Sequence, residues 1–202
     1  MNVMFNKSDF EVFEIPDLAG RLAAVRKTLD PKFDEIAPRI IEILSNEKET
    51  YAHVAMHRRR HKNPPTNTWV AFSESKRGYK MMPHVELGFW DDRLFLWLAG
   101  LTELKDRKKF VTDLKDNDSL SSHVDSADWQ LCGDHTKKNI VPLTNDNYVR
   151  LLQRYNQTTK AEFLVGRVWL KDNPIFKDPV ALNDSIIQVT RGIAPLYQIL
   201  NK

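Results

Sequence analysis

The sequence predicts an α+β fold, a mainly antiparallel sheet covered by helices, in one domain that spans residues 1–202. The order of predicted elements is the first reason: two helices, a cluster of strands, helices with isolated strands, and a last helix. This order lacks the regular strand–helix alternation that builds a parallel sheet. Composition is the second reason, because 202 residues with 42% apolar side chains suit one domain with a packed core.

Two amphipathic helices are predicted before the first strand. The first covers about residues 16–29, with Pro16 in its first turn and apolar residues at helical spacing. The second begins at Asp30, which is expected to cap it, with Pro31 at its first position. Each helix has one apolar stripe, so each is expected to cover another layer.

Residues 48–67 are predicted to form a short helix or turn followed by an irregular loop. His53, His57 and His61 are spaced by four, which would stack them on one face of a helix. Pro64-Pro65 would end such a helix.

Three strands are predicted in the middle of the chain, the first over residues 69–72. His84–Trp90 alternates in polarity, which is typical of a half-buried antiparallel strand. Asp91-Asp92 indicates a two-residue hairpin turn, and residues 94–98, apolar on both faces, are expected to be the central strand.

The C-terminal half is predicted to alternate helices with single strands. Its predicted elements are a charged helix over about residues 102–115, a strand over 129–132, a helix capped by Thr144 and a strand over 161–170. Asp178 is expected to cap the last helix, and Pro195 to kink it.

Basic charge is concentrated between His53 and Lys80. This stretch holds seven Lys or Arg and one acid, Glu74, so it carries +6, whereas the whole chain carries +3. The remainder therefore carries −3. Such local patterning indicates an anionic partner, with nucleic acid as one candidate, although a solvated basic loop is the structural alternative.

The predicted function is a binding module with a basic cleft for an anionic ligand. The candidate ligand-binding residues are six cations, two histidines and one stacking indole: Arg58, Arg59, Arg60, Lys62, Arg77, Lys80, His57, His84 and Trp69. A hairpin is expected to bring the basic segments His53–Lys62 and Lys76–Lys80 to one end of the sheet, so that Arg58, Arg77 and His84 converge in one cleft.

The alternative is an enzyme that acts on a small phosphorylated or carboxylated metabolite. His84 or His57 would be its general base, with Glu86 orienting the imidazole. Glu162, on another strand, could form an acid–base pair with Glu86, although both acids could equally be ion-pair partners of Arg58 or Arg77. Cys132 falls in a strand pattern and is expected to be a small apolar residue rather than a nucleophile.

No metal or cofactor is predicted. His53 and His57 lack the glutamate of the zinc-protease helix, and the adjoining arginines would repel a dication. No glycine-rich phosphate loop occurs. The single cysteine and the absence of any segment of ~20 apolar residues favour a cytoplasmic protein with no membrane partner.

Motifs spread over nearly the whole chain resemble the YktB-like family of uncharacterised bacterial proteins. The matching segments are Asp9-Phe10, Ile15-Pro16, His53-Val54-Ala55, Asn63-Pro64-Pro65, Thr68-Trp69-Val70-Ala71, Arg77-Gly78-Tyr79-Lys80, Pro83-His84, Asp134-His135, Lys160-Ala161-Glu162-Phe163-Leu164 and Pro195-Leu196-Tyr197. The resemblance implies an α+β, cytosolic protein and supplies no catalytic residues.

Overall fold

The computed structural model describes residues 5–57 and 61–202. Its centre is a seven-stranded antiparallel sheet in the order β1-β2-β3-β4-β7-β5-β6. The strands are β1 (Tyr51–Val54), β2 (Asn67–Ser73), β3 (His84–Trp90), β4 (Arg93–Gly100), β5 (Gln130–Cys132), β6 (Val141–Pro142) and β7 (Phe163–Leu170). The predicted α+β class and antiparallel sheet are confirmed.

Five α-helices lie within the described residues. They are α1 (Leu18–Thr28), α2 (Asp30–Leu44), α3 (Arg107–Lys115), α4 (Asn145–Gln157) and α5 (Pro179–Leu200). Thr144 and Asp178 cap α4 and α5 through their side chains, as their sequence positions predict. The described helices include none that is long and apolar enough to cross a membrane.

The helices cover one face of the sheet. Alternate residues of β4, such as Leu94, Leu96 and Leu98, are buried on this face and join one hydrophobic core with all five helices. Burial of this face follows from the apolar stripes predicted for α1, α2 and α5.

The opposite face of the sheet is covered by loops. Phe95, Trp97 and Leu164 form a second buried cluster, against which Tyr79 and Ile140 pack. Tyr79 belongs to the loop of residues 74–83, which joins β2 to β3, and Ile140 precedes β6. As a result β3 is buried on both faces, and the prediction of a half-buried strand is wrong.

Three other local predictions are also wrong. Residues 51–54 form a strand rather than a helix, because β2 supplies antiparallel partners from Val70 to Ser73. Asp30 is a first-turn residue of α2, and Leu29 stands at the N-cap without a side-chain hydrogen bond. The charged helix begins at Arg107, where Asp106 caps it, and not near residue 102.

Candidate functional site

An aromatic chain on the loop-covered face brings together three of the predicted site residues. The His57 ring meets Trp69 edge-on at 5.8 Å between centroids. Trp69 donates its Nε1–H to the Tyr79 hydroxyl at 3.0 Å, and the Tyr79 ring lies 4.8 Å from that of His84. Burial, with the charge of Glu86, raises the pKa of Tyr79, so its phenol stays protonated.

His84 and Glu86 form a buried pair with 0% and 3% side-chain exposure. His84 Nδ1 lies 2.8 Å from the carbonyl oxygen of Met82, and Nε2 lies 3.1 Å from Glu86 Oε1. Because a carbonyl only accepts, Nδ1 must carry a proton, and a further proton must lie between Nε2 and the carboxyl group. Both ring nitrogens are therefore occupied, and His84 has none to offer a ligand.

A second pair joins His135 to Glu162. The His135 backbone N–H donates to Glu162 Oε2 at 2.6 Å, and the ring Nδ1–H donates to the same oxygen at 2.7 Å. Burial lowers the pKa of His135, but the hydrogen bond to Glu162 and the charges of Glu86 and Glu162 outweigh it and raise that pKa overall. The sequence analysis named Glu162 and missed its partner.

These pairs border a narrow crevice in the loop-covered face. Glu86, His135 and Cys132 line it, above a floor that includes Phe95 and Trp97. Its volume of about 20 Å³ has room for about one water. Burial raises the pKa of Cys132 to about 11, and its thiol donates to the Asp134 carbonyl, so Cys132 is not poised as a nucleophile.

Three side chains beside the crevice form a group of potential metal ligands among the described residues. Ligand atoms of Asp134, His135 and Glu162 lie within 4.8 Å of one another. However, Asp134 accepts from the Thr136 backbone and hydroxyl, and His135 already bonds Glu162. The three-histidine helical face does not form, because His53 is in β1 and contacts the Ser75 carbonyl oxygen.

A wider cleft lies on the other side of the 74–83 loop. This basic cleft has a volume of about 660 Å³ and is bounded by the loop, the N-terminal part of α3 and the C-terminal end of α5. The Lys105 N–H donates to the Met81 carbonyl at 3.2 Å, and Asn201 Nδ2 donates to the Pro83 carbonyl at 3.3 Å. The loop is thus tied to both of the other walls.

Five cationic side chains and one acid line the basic cleft: Arg77, Lys80, Lys105, Lys109, Lys202 and Asp106. Lys80 lies 3.5 Å from Glu103, and Lys109 pairs with Asp113. Among the described residues no acid lies within ion-pair distance of Arg77 or Lys105. Arg77 and Lys105 therefore line the cleft without an ion-pair partner in the part of the chain that the structure describes.

Two other predicted residues, Lys62 and His84, do not line the basic cleft. Lys62 is exposed and precedes β2, whereas Arg77 follows β2. The seven residues of this strand span about 20 Å and separate the two residues along the chain. His84 is buried beneath Tyr79 and does not line the basic cleft. Arg58, Arg59 and Arg60 lie outside the described residues.

Sequence reasoning missed Lys105 and Lys109. The signal was present, because residues 105–109 hold four cations in five positions. The sequence pattern assigns these cations to the predicted charged helix, and Lys108 is exposed outside the cleft. Only the fold brings this segment beside Arg77.

The fold and both sites define an α+β protein with a loop-covered aromatic sheet face and a separate basic cleft. The chain belongs to the family described as "Domain of unknown function (DUF1054)", whose model matches residues 5–197. A UPF0637 protein of Lacticaseibacillus casei (strain BL23) is 45% identical over 199 residues, 98% of each chain. A UPF0637 protein of Shouchella clausii (strain KSM-K16) is 39% identical over 197 residues, 96% of this chain and 93% of its own. The resemblance to YktB-like proteins is confirmed.

Proposed function

We propose that this protein binds a small anionic ligand in the basic cleft. The observation that carries the proposal is the pair of cations, Arg77 and Lys105, that line the cleft with no acidic partner in the described part of the chain. Arginine and lysine bind phosphate and carboxylate through charge-assisted hydrogen bonds. The volume of about 660 Å³ falls within the range of small-molecule sites.

A small ligand suits this cleft better than a nucleic acid does. A single strand needs a long basic track with aromatic rings on which its bases stack. Trp69, the predicted stacking residue, is half-buried in the aromatic chain and does not line the basic cleft. Lys62 and Arg77 flank opposite ends of β2, and Lys62 does not line the basic cleft.

Mass spectrometry of the native protein tests the proposal directly. We expect an adduct of small mass that is lost on denaturation and reduced in the Arg77→Ala/Lys105→Ala variant. The matched control is Arg39→Ala/Lys108→Ala, which removes the same charge from exposed positions outside the cleft. Titration with inorganic phosphate and with short single-stranded DNA at low salt completes the test. Tight DNA binding without phosphate binding would replace the small-anion proposal with nucleic acid.

The enzyme alternative rests on a different observation, the partly buried His135–Glu162 pair beside the crevice. A carboxylate that holds Nδ1–H leaves Nε2 as the nitrogen that exchanges protons, which is the arrangement of a general base. His135 is therefore a better candidate for the base than His84, whose two nitrogens are occupied. Turnover of a ligand that co-purifies with the protein, lost in His135→Gln with binding retained, would support this alternative.

A further inference from the structure

We infer that the ligand of the basic cleft is an amphipathic anion, a free small molecule with one carboxylate or phosphate head on an apolar body. This inference rests on the proposed anion binding and adds the chemical class of the ligand. Its basis is the way the cleft separates apolar from charged groups.

The floor of the cleft is apolar. Leu104, Phe110 and Leu200 are buried and line it from three different segments of the chain. An inorganic anion would leave the apolar floor in contact with water. An alkyl group would bury the floor, and the hydrophobic effect would stabilise the complex. The floor therefore favours a ligand with an apolar part.

Two methionines of the 74–83 loop extend the apolar surface toward solvent. Met81 and Met82 line the cleft, and Met81 is 53% exposed. Methionine is unbranched and adapts its shape to irregular ligands. An exposed methionine beside an apolar floor can contact the part of a ligand's alkyl chain that extends from the floor to the opening of the cleft.

The cations lie at the exposed edge of the same cleft. Arg77, Lys80 and Lys105 are solvent-exposed, in contrast to the buried floor. A ligand can therefore place its head among them while its body lies on the floor. Desolvating a charged head completely would be costly, and this placement avoids that cost.

Calorimetric titration of the full chain with a homologous series tests the inference. The probes are butyrate, hexanoate, octanoate and octyl phosphate. The controls are 1-octanol, which has the alkyl chain without the charge, and inorganic phosphate, which has the charge without the alkyl chain. We expect affinity to rise by up to about fourfold per added methylene. Octanoate should bind about tenfold more tightly than 1-octanol, because only octanoate offers a charge-assisted hydrogen bond.

Variants locate the binding and separate the two proposals. Arg77→Ala/Lys105→Ala should weaken octanoate about tenfold, while the charge-matched Arg39→Ala/Lys108→Ala should stay within about twofold. Met81→Ser, at an exposed position, should reduce the gain per methylene and leave phosphate binding unchanged. Equal affinity for butyrate and octanoate would overturn the amphipathic inference and leave anion binding standing. Failure of every anion to bind the folded protein would overturn both.

Two further outcomes also count against the inference. If vesicles containing anionic lipid bind and octanoate does not, the ligand is a membrane surface rather than a free molecule. If octanoate binds equally to the wild type and to Arg77→Ala/Lys105→Ala, the site lies outside the basic cleft.

Discussion

At the scale of single residues, His135 shows how a partner distant in sequence changes the chemistry of a side chain. Glu162 accepts from both its backbone N–H and its ring, and Glu86 adds a second negative charge nearby. The imidazolium form is stabilised as a result, so the pKa of His135 lies above the ordinary value of 6.5.

We expect Glu162→Gln to lower the pKa of His135, because it removes a charged acceptor and leaves the buried ring. An NMR pH titration of the ring protons measures this. The exposed His61 offers a control, since His61→Gln should leave the titration of His135 unchanged. An unaltered pKa in Glu162→Gln would contradict the role assigned to the carboxylate.

The His135–Glu162 pair makes the free energy of unfolding depend on pH. A raised folded-state pKa means that the folded protein binds the His135 proton more tightly than the unfolded chain does. The stabilisation is fully present below about pH 6.5 and is lost as pH rises through the folded-state pKa. Urea unfolding across this range should show the loss in the wild type and a smaller loss in Glu162→Gln.

At the scale of elements, β4 is the centre of the sheet and pairs with β3 and β7. Leu96 is fully buried between this strand and the helices, so Leu96→Ala should reduce the free energy of unfolding by about 2–5 kcal/mol. Lys108→Ala, on the exposed face of α3, should change it by no more than about 0.5 kcal/mol. Equal shifts of the urea midpoint in the two variants would contradict the central position of β4.

At the scale of the whole molecule, a ligand that binds only the folded chain must stabilise it. At a ligand concentration of 100 times Kd the gain is about 2.7 kcal/mol. For a chain of this length that corresponds to a rise in Tm of about 5–10 °C. We expect octanoate to produce this shift in the wild type and in Arg39→Ala/Lys108→Ala, and to produce much less in Arg77→Ala/Lys105→Ala. Shifts of the same size in all three proteins would show that the basic cleft is not responsible.

The sequence by itself determined the elements whose signals are local. Apolar residues at helical spacing located α1, α2 and α5, and Thr144 and Asp178 marked where two helices begin. Alternation and a hairpin turn located β3 and β4. These signals suffice because helix caps, turns and periodicity act between residues a few positions apart.

Only the tertiary structure decided the features that depend on distant partners. His53 begins a helical spacing of histidines, yet residues 51–54 form β1 because β2 satisfies their backbone hydrogen bonds. His135 gains its partner 27 residues away, and Arg77 shares a cleft with Lys105 only after α3 packs beside the 74–83 loop. A site of this kind depends on the three-dimensional position of each side chain, and residue type and spacing do not determine that position.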